Sequence, residues 1–133
     1  GTLATALIKV KEIMAKEKEI PIVSANKNIK DAIKEMTKKK LGMVCIKEKN
    51  GKISIIVDGD LRRNSNNLYK KKITEIATKK PNWIYENSTA LSAIEKMTNL
   101  KISSLLVSKN VNAKKKTITG VITMLHCLSK GIK

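Results

Sequence analysis

The residues best suited to chemistry lie in one short segment, Asp58-Gly59-Asp60-Leu61-Arg62-Arg63. Its two arginines are the only ones among the 28 basic residues of this 133-residue chain, which otherwise uses lysine for positive charge. A guanidinium binds a carboxylate or phosphate through two parallel hydrogen bonds, whereas an ammonium is a point charge. The adjacent arginines therefore indicate recognition of an anionic ligand. The alternative is that Arg62 or Arg63 pairs with Asp58, Asp60 or a neighbouring chain and only fixes a helix start.

One histidine and two cysteines are the other candidates for chemistry. His126 can hydrogen-bond a ligand or phosphate near neutral pH, or it can be a helix-end histidine that touches only backbone or solvent. Cys45 and Cys127 are too few to staple a secreted domain, and their neighbours indicate packed positions. We interpret them as free thiols in a reducing cytoplasm and not as a disulfide or metal ligands. The sequence predicts no metal site and no required cofactor.

The formal net charge of +17 raises the possibility of nucleic-acid binding, because a basic surface gains affinity for phosphates by releasing counterions. The lysines, however, recur through almost every segment, and their runs fall where we expect helix ends or loops. One Trp, two Tyr and no Phe provide no stacking platform. Trp83 and Tyr85 are interpreted as core or interface residues. Nucleic-acid binding is the weakest of the functions considered.

The N-terminal stretch lacks the basic leader of a signal peptide. No apolar run approaches the roughly 18 residues needed to span a bilayer. We therefore expect a cytoplasmic protein without membrane contact.

The chain repeats itself, and the repeat predicts its architecture. The apolar stripe of an amphipathic helix occurs twice with the same spacing. It consists of Ile29, Ala32, Ile33 and Met36, and again of Ala90, Ala93, Ile94 and Met97. Asn28 and Ser88 are interpreted as the N-caps of these two helices.

Each stripe lies between apolar segments that are typical of strands. A short extended segment next to a proline precedes it, and two strands and a closing helix follow. The two strands are predicted at Leu41–Ile46 and Ile53–Val57 in the first half, and at Ile102–Val107 and Ile118–Ile122 in the second. The predicted class is α/β (α+β), with two β-α-β-β-α repeats packed by their sheets, because either repeat alone would leave apolar surface exposed.

The predicted bounds are residues 11–70 for the first repeat and 71–133 for the second. Residues 1–10 form a lead-in segment. Leu3, Leu7 and Val10 suggest that this segment is a helix packed on the edge of the module.

The doubled unit, opened by Glu12-Ile13-Met14, resembles a tandem pair of cystathionine-β-synthase (CBS) domains. A narrower resemblance covers nearly the whole chain in register. It rests on Ile20-Pro21-Ile22-Val23, Asp31-Ala32-Ile33-Lys34-Glu35-Met36-Thr37, Lys40-Leu41-Gly42-Met43, the 58–63 segment and Lys101-Ile102-Ser103-Ser104-Leu105-Leu106-Val107. These strings are similar to those of the D-arabinose-5-phosphate isomerases, which carry an N-terminal sugar isomerase (SIS) domain. Gly1-Thr2-Leu3-Ala4 resembles the stretch leaving that domain, so the chain resembles a C-terminal fragment.

Enzymes of that family interconvert ribulose 5-phosphate and arabinose 5-phosphate, a precursor of 3-deoxy-D-manno-octulosonate (Kdo) in lipopolysaccharide. An isomerase needs a positioned base and a phosphate cradle to move a proton between adjacent carbons. This sequence has a single histidine and no Gly-rich phosphate loop. We therefore expect no catalytic residues in this chain.

The resemblance also implies a ligand cleft between the two copies, where CBS pairs typically bind nucleotides. The family motif places Thr or Ser after the third strand and Asp three residues later. The hydroxyl and carboxylate grip ribose, and the helix N-terminus faces phosphate. Both copies depart from the motif: Val57 precedes Asp60 in the first, and Thr123 precedes His126 in the second. These departures count against simple binding of AMP or ATP.

A sugar acid joined to a nucleotide, such as CMP-Kdo, presents both carboxylate and phosphate to the arginines. It lies downstream in the pathway that the resemblance implies, so it is the preferred ligand. Met43 and Ser103-Ser104 are expected on strands that line the cleft. The predicted ligand-binding residues are Met43, Asp58, Asp60, Arg62, Arg63, Ser103, Ser104, Thr123 and His126.

The preferred interpretation is a regulatory module that senses a nucleotide or CMP-Kdo-like effector. Its other expected partners are the SIS catalytic domain of the same chain and further copies, in a homodimer or higher oligomer. A ligand regulates only if it favours one arrangement over another. The alternative is a purely structural pair that holds the oligomer together and has a degenerate pocket.

Overall fold

The computed structural model describes residues 3–132. Gly1, Thr2 and Lys133 lie outside the described residues. They are the first two residues of the predicted lead-in segment and the last residue of the predicted second repeat. The chain forms two compact units. The first unit is Lys18–Pro81, and the second unit combines the N-terminal segment through Glu17 with the residues from Asn82 onward.

Seven α-helices, two short 3-10 helices and six strands are present within residues 3–132. The helices are α1 (Leu3–Ala6), α2 (Val10–Ile13), α3 (Ile29–Lys39), α4 (Asp58–Arg63), α5 (Ile73–Ile76), α6 (Ala90–Leu100) and α7 (Met124–Ser129). The strands are β1 (Ile22–Ser24), β2 (Met43–Lys47), β3 (Ile53–Val57), β4 (Trp83–Tyr85), β5 (Ser104–Ser108) and β6 (Gly120–Thr123). None of these helices combines the length and apolar character that crossing a bilayer requires.

Each unit contains one three-stranded sheet with the same topology. In the first unit β1 runs parallel to β2, with Ile22 opposite Cys45, and β2 runs antiparallel to β3. In the second unit β4 is parallel to β5 and β5 is antiparallel to β6. The predicted strand–helix–strand–strand–helix order is thus confirmed in both halves, as is the mixed α/β class.

The predicted helix stripes form the cores. In the first unit Ile29, Ala32 and Met36 of α3 pack with apolar residues of β2 and β3, and all three are nearly inaccessible to solvent. In the second unit Ala90, Ala93 and Met97 of α6 pack in the same way against β5 and β6. A stripe at this spacing lies along one face of a helix and covers one face of the sheet.

The two long helices differ in how well their N-caps were predicted. The Asn28 side chain accepts a hydrogen bond from the Asp31 N–H at 2.9 Å, which confirms the first cap. The prediction of Ser88 was wrong, because Thr89 caps α6 through its hydroxyl, which accepts from the Ser92 N–H at 3.1 Å. Ser88 instead lies in the preceding turn, where its carbonyl accepts the Val10 N–H at 2.8 Å.

A second internal repeat, which the sequence reasoning missed, precedes the two strand–helix units. Lys9-Val10-Lys11-Glu12-Ile13 and Lys72-Ile73-Thr74-Glu75-Ile76 each fold as a short helix. In both, the glutamate side chain accepts a hydrogen bond from the backbone N–H of the lysine before the helix. This contact supplies one half of a capping box at each helix start.

Each of these segments then pairs with the sheet of its own unit. Ala15, after α2, bridges to Val121 of β6, and Thr78, after α5, bridges to Ile55 of β3. The segment that opens the chain therefore folds with the second repeat. The sequence bounds 1–10, 11–70 and 71–133 stay a prediction of where the repeats begin and end, since the packed units are divided differently.

The lead-in helix is present as two short pieces, and only the second is packed. Val10 is fully buried in the core of the second unit. Leu3 and Leu7 are 78% and 63% exposed, so the expectation that they pack on the module's edge was wrong. The four-residue helix α1 holds its apolar side chains away from the core.

Candidate functional site

In the first unit the segment after β3 is organised around Asp60. This carboxylate is 6% exposed. One oxygen accepts the Val57 N–H at 2.9 Å, and the other lies 2.6 Å from Arg63 Nη2. The first contact supplies an acceptor at the third position of α4 for the N–H before the helix. Each oxygen of the Asp60 carboxylate therefore already accepts one bond from within the protein.

The two arginines have different surroundings. Arg63 folds back over Gly59, so that a Cβ at position 59 would lie 3.0 Å from Arg63 Nη1. Arg63 therefore pairs with Asp60, as the alternative interpretation of the arginines predicted. Arg62 is exposed and forms no ion pair within residues 3–132. Arg62 is the arginine available to a ligand.

Asp58 and Met43 lie beside this helix start. Met43 opens β2 opposite Val57, and its side chain is buried. Asp58 is exposed, and its N–H donates to the Gly42 carbonyl at 3.2 Å. Gly42 has a φ of +71°, and a Cβ there would lie 3.2 Å from the Asp58 carboxylate. This left-handed conformation, typical of glycine, holds the start of β2 against the start of α4.

In the second unit Thr123 and His126 occupy the corresponding turn. The Thr123 hydroxyl accepts the His126 N–H at 3.2 Å, and His126 Nδ1 accepts the Thr123 N–H at 3.0 Å. Because Nδ1 accepts this bond, the neutral imidazole carries its proton on Nε2. His126 therefore makes the contact that Asp60 makes in the first unit. The simpler alternative for His126, a helix-end histidine that touches backbone, describes this contact.

The two predicted serines lie next to this turn. Ser104 is 8% exposed and stands opposite Thr123 in the β5–β6 register. Ser103 is exposed, and its carbonyl accepts the Met124 N–H at 2.9 Å. The fold thus brings four of the predicted residues together in the second unit and five in the first. That they line one cleft between the repeats stays a prediction.

Both cysteines are free thiols and fully buried. Burial raises the pKa of the Cys45 thiol to about 12 and also raises the pKa of Cys127. A protonated, inaccessible thiol is a poor nucleophile and a poor metal ligand. Across residues 3–132, His, Cys, Asp and Glu side chains form no group of three that could hold a metal ion.

The sequence reasoning missed a groove at the other end of the first sheet. It has a volume of about 850 Å³, and its lining includes Ser24, Lys47 and Lys49. The available signal was the difference between the repeats at these positions, where the second copy has Tyr85, Ser108 and Asn110.

Comparison with known proteins agrees with the doubled architecture. The family model described as CBS domain matches the chain twice, over residues 10–67 and 73–132. The arabinose 5-phosphate isomerase KdsD of Francisella tularensis is 41% identical over 135 residues, which cover 98% of this chain and 39% of the isomerase. The chain therefore spans about two fifths of the length of the curated isomerases that it matches.

Two solved structures show the same fold. The CBS domain pair of protein MJ0100, in complex with 5′-methylthioadenosine and S-adenosyl-L-methionine, has a TM-score of 0.77 and 25% identity, and the match covers 93% of this chain and 94% of that one. CBSX2 in complex with AMP has a TM-score of 0.75 and 20% identity, and the match covers 93% and 96% of the two chains.

Proposed function

Because the chain belongs to the CBS-domain family and carries the domain twice, we propose that it is the ligand-sensing module of an arabinose 5-phosphate isomerase. A pair of CBS domains is typically regulatory and not catalytic. The observation that carries the proposal is the 41% identity to KdsD over almost the whole chain but only 39% of that enzyme. In this proposal the module acts in the cytoplasm on an SIS catalytic domain, with its repeats at residues 11–70 and 71–133.

We propose further that the effector binds in a cleft between the two repeats, against the starts of α4 and α7. The ligands named for MJ0100 and CBSX2 support a nucleotide-like effector. A plain adenine nucleotide fits these two turns poorly. Asp60 already binds Val57 and Arg63, and the Thr123 hydroxyl already binds the His126 N–H. A ribose would find only the remaining lone pairs of Asp60 in the first copy and the Thr123 O–H in the second, so neither turn offers the hydroxyl and the carboxylate together.

The exposed Arg62 supports a ligand with a carboxylate or phosphate that reaches past the turn. Its guanidinium can form two parallel bonds to either group, and no ion pair within the described residues competes for it. CMP-Kdo carries both groups. In this proposal Arg62 binds the acid, while Arg63 stays with Asp60 and supports the helix start.

A structural role is the second candidate, and two observations favour it. The polar groups at both turns are satisfied internally, as expected of a degenerate pocket. In addition, Leu125 and Leu128 lie three residues apart on α7 and are 72% and 51% exposed. Residues three apart lie on the same face of a helix, so the two side chains form one exposed apolar spot. A second copy of the chain could cover them in a homodimer or higher oligomer.

Thermal shift and titration calorimetry with CMP-Kdo, CMP, AMP and ATP test the sensor proposal. We expect CMP-Kdo to raise the melting temperature, since a ligand at 100 times its Kd stabilises the folded state by about 2.7 kcal/mol. Arg62→Lys should weaken CMP-Kdo binding roughly tenfold because it removes the two-pronged contact. Arg63→Lys is the matched control and should leave the affinity within about twofold, since Asp60 already holds this side chain.

A gain-of-function variant sharpens the test. His126→Asp completes the Thr-x-x-Asp motif behind Thr123, and a carboxylate keeps the acceptor for the Thr123 N–H. We expect this variant to bind AMP or ATP measurably better than the unaltered chain. If no compound shifts the melting temperature at millimolar concentration, the sensor proposal fails. Loss of self-association on Leu125→Lys and Leu128→Lys, measured by analytical ultracentrifugation, would then support the structural role.

A further inference from the structure

The first unit contains a groove at the end of its sheet that lies away from the start of α4. Its volume of about 850 Å³ lies within the range of small-molecule sites. Its polar lining comes from the end of β1, the end of β2 with the following hairpin, and α5: Ser24, Asn26, Lys47, Glu48, Lys49, Asn50 and Thr74. Since β2 rises about 3.3 Å per residue, Lys47 lies roughly 13 Å along the strand from Met43. The groove is therefore separate from the site proposed above.

The second unit joins the corresponding segments by backbone hydrogen bonds. There, three hydrogen bonds join the segment at α2 to the loop after β4: Val10 N–H to Ser88 O, Lys11 N–H to Glu86 O, and Ala90 N–H to Ile8 O. In the first unit, residues 71–74 make no such bonds to the loop after β1 within the described chain. The two repeats therefore differ here in the space they leave.

The side chains at the ends of the paired strands also differ between the two units. Ser24 ends β1 opposite Lys47, whereas Tyr85 ends β4 opposite Ser108. The Tyr85 hydroxyl accepts a hydrogen bond from Asn87 at 3.0 Å, so that its ring and the loop are joined. In the first unit a small hydroxyl replaces the aromatic ring, and an exposed lysine replaces the buried Ser108.

The charge of the groove selects a class of ligand. Glu48, its one acidic lining residue, is neutralised by Lys79 at 3.1 Å. Lys47 and Lys49 form no ion pair within residues 3–132. The Asn50 side-chain oxygen accepts the Lys52 N–H at 3.0 Å, which leaves its amide donors for a ligand. The groove thus offers two cations together with amide and hydroxyl donors.

We propose that this groove is a second ligand site of the module, for a small organic polyanion with at least two phosphate or carboxylate groups. Two ammonium groups match two anionic groups, and the hydroxyl and amide groups bind the oxygen-rich remainder. The site belongs to the first repeat alone, because the second repeat has replaced it with backbone hydrogen bonds and Tyr85.

The test is a two-dimensional amide NMR titration of the whole chain with citrate and, separately, with inorganic pyrophosphate, against sodium chloride at equal ionic strength. The two probes distinguish a carboxylate from a phosphate ligand. We expect saturable shifts confined to residues 24–26, 47–50 and 74 for at least one probe. Lys47→Gln with Lys49→Gln should weaken binding roughly tenfold or more, as expected when two charge-assisted contacts are lost.

Two further variants separate a site from general attraction to a basic protein. Lys114→Gln with Lys115→Gln removes the same charge from the second unit and should leave the affinity within about twofold. Ser24→Tyr installs the residue of the other repeat, keeps every charge, fills the groove and should abolish the saturable shifts. Equal weakening by both lysine pairs, unchanged binding in Ser24→Tyr, shifts spread over all lysine-rich surfaces, or no saturable shift with either probe would overturn the proposal.

Discussion

The two units start their closing helices with the same hydrogen bond but with different chemistry. In the first, the Asp60 carboxylate accepts the Val57 N–H at 2.9 Å, and in the second, His126 Nδ1 accepts the Thr123 N–H at 3.0 Å. The position three residues after the strand end is thus filled by an acceptor in both copies. Its first role is to cap the helix, so its residue type alone does not establish a ligand site.

A second difference concerns the strand next to each closing helix. Gly120 of β6 stands opposite Val107, and Ser54 of β3 stands at the corresponding place opposite Ile46. A Cβ at Gly120 would overlap the Met14 side chain and lie 2.7 Å from the Ala15 carbonyl. The first unit has Ala77 in the place of Met14. The second unit therefore pairs a glycine with a large side chain, whereas the first unit pairs two small residues at the same places.

Of the substitutions that test this comparison, Gly120→Ala should change the unfolding free energy most. Because the new methyl group meets a backbone carbonyl, the lead-in segment must move, and we expect a loss of about 3 kcal/mol in unfolding free energy. Urea denaturation followed by circular dichroism measures it. Met14→Ala added to Gly120→Ala relieves only the side-chain overlap and should recover part of the loss. An unchanged denaturation midpoint would show that the two segments do not pack as described.

The buried thiols show which unit is loosened. Burial keeps the Cys45 thiol protonated up to a pKa of about 12 and raises the pKa of Cys127. At pH 8 alkylation with iodoacetamide therefore requires local opening. In Gly120→Ala we expect the labelling of Cys127, in the second unit, to accelerate more than that of Cys45.

Asp60→Ala should have the next largest effect. It leaves the Val57 N–H without its acceptor and should cost about 2 kcal/mol. Asp60→Asn keeps an oxygen acceptor for the Val57 N–H, but its amide nitrogen then faces Arg63, so both the ion pair and the hydrogen bond to Arg63 are lost and the guanidinium turns to solvent. Since the Arg63 side chain is 68% exposed, we expect Asp60→Asn to cost less than about 0.5 kcal/mol. His126→Ala removes a neutral bond and should cost about 1 kcal/mol. If Asp60→Asn cost as much as Asp60→Ala, the ion pair and not the cap would organise the turn.

The sequence was sufficient for the parts of the fold set by periodicity. The stripes of α3 and α6 and the strand Ile53–Val57 were predicted because burial on one helix face, or along a central strand, leaves a repeating apolar pattern. The Ser88 cap was misassigned by one residue, because adjacent Ser88 and Thr89 carry equivalent hydroxyls. The hydrogen bond from the Ser92 N–H to the Thr89 hydroxyl settles which of them begins the helix.

The candidate site was less predictable than the fold. Residue types indicated Asp60, Arg62 and Arg63, but not that Arg63 is bound to Asp60 while Arg62 is left exposed. That division depends on side-chain direction at the helix start. The groove at Ser24 was missed for another reason: it arises where hydrogen bonds are present in one repeat and lacking in the other, and no residue type marks their loss.

Ser54→Ala should change the unfolding free energy least, and it should stabilise the protein where the other substitutions destabilise it. The Ser54 side chain is fully buried, and its hydroxyl has no hydrogen-bond partner within the described residues. An unsatisfied buried hydroxyl costs free energy, so we expect its removal to stabilise the protein by up to about 1 kcal/mol. Ser108→Ala is the matched control in the second unit, because this equally buried hydroxyl accepts the Asn110 N–H at 3.4 Å. We expect the control to lose stability in the same urea denaturation. Destabilisation by Ser54→Ala would mean that the Ser54 hydroxyl has a hydrogen-bond partner. The first unit would then accommodate a serine where the second has Gly120 because of that bond, and not merely because of the space left by Ala77.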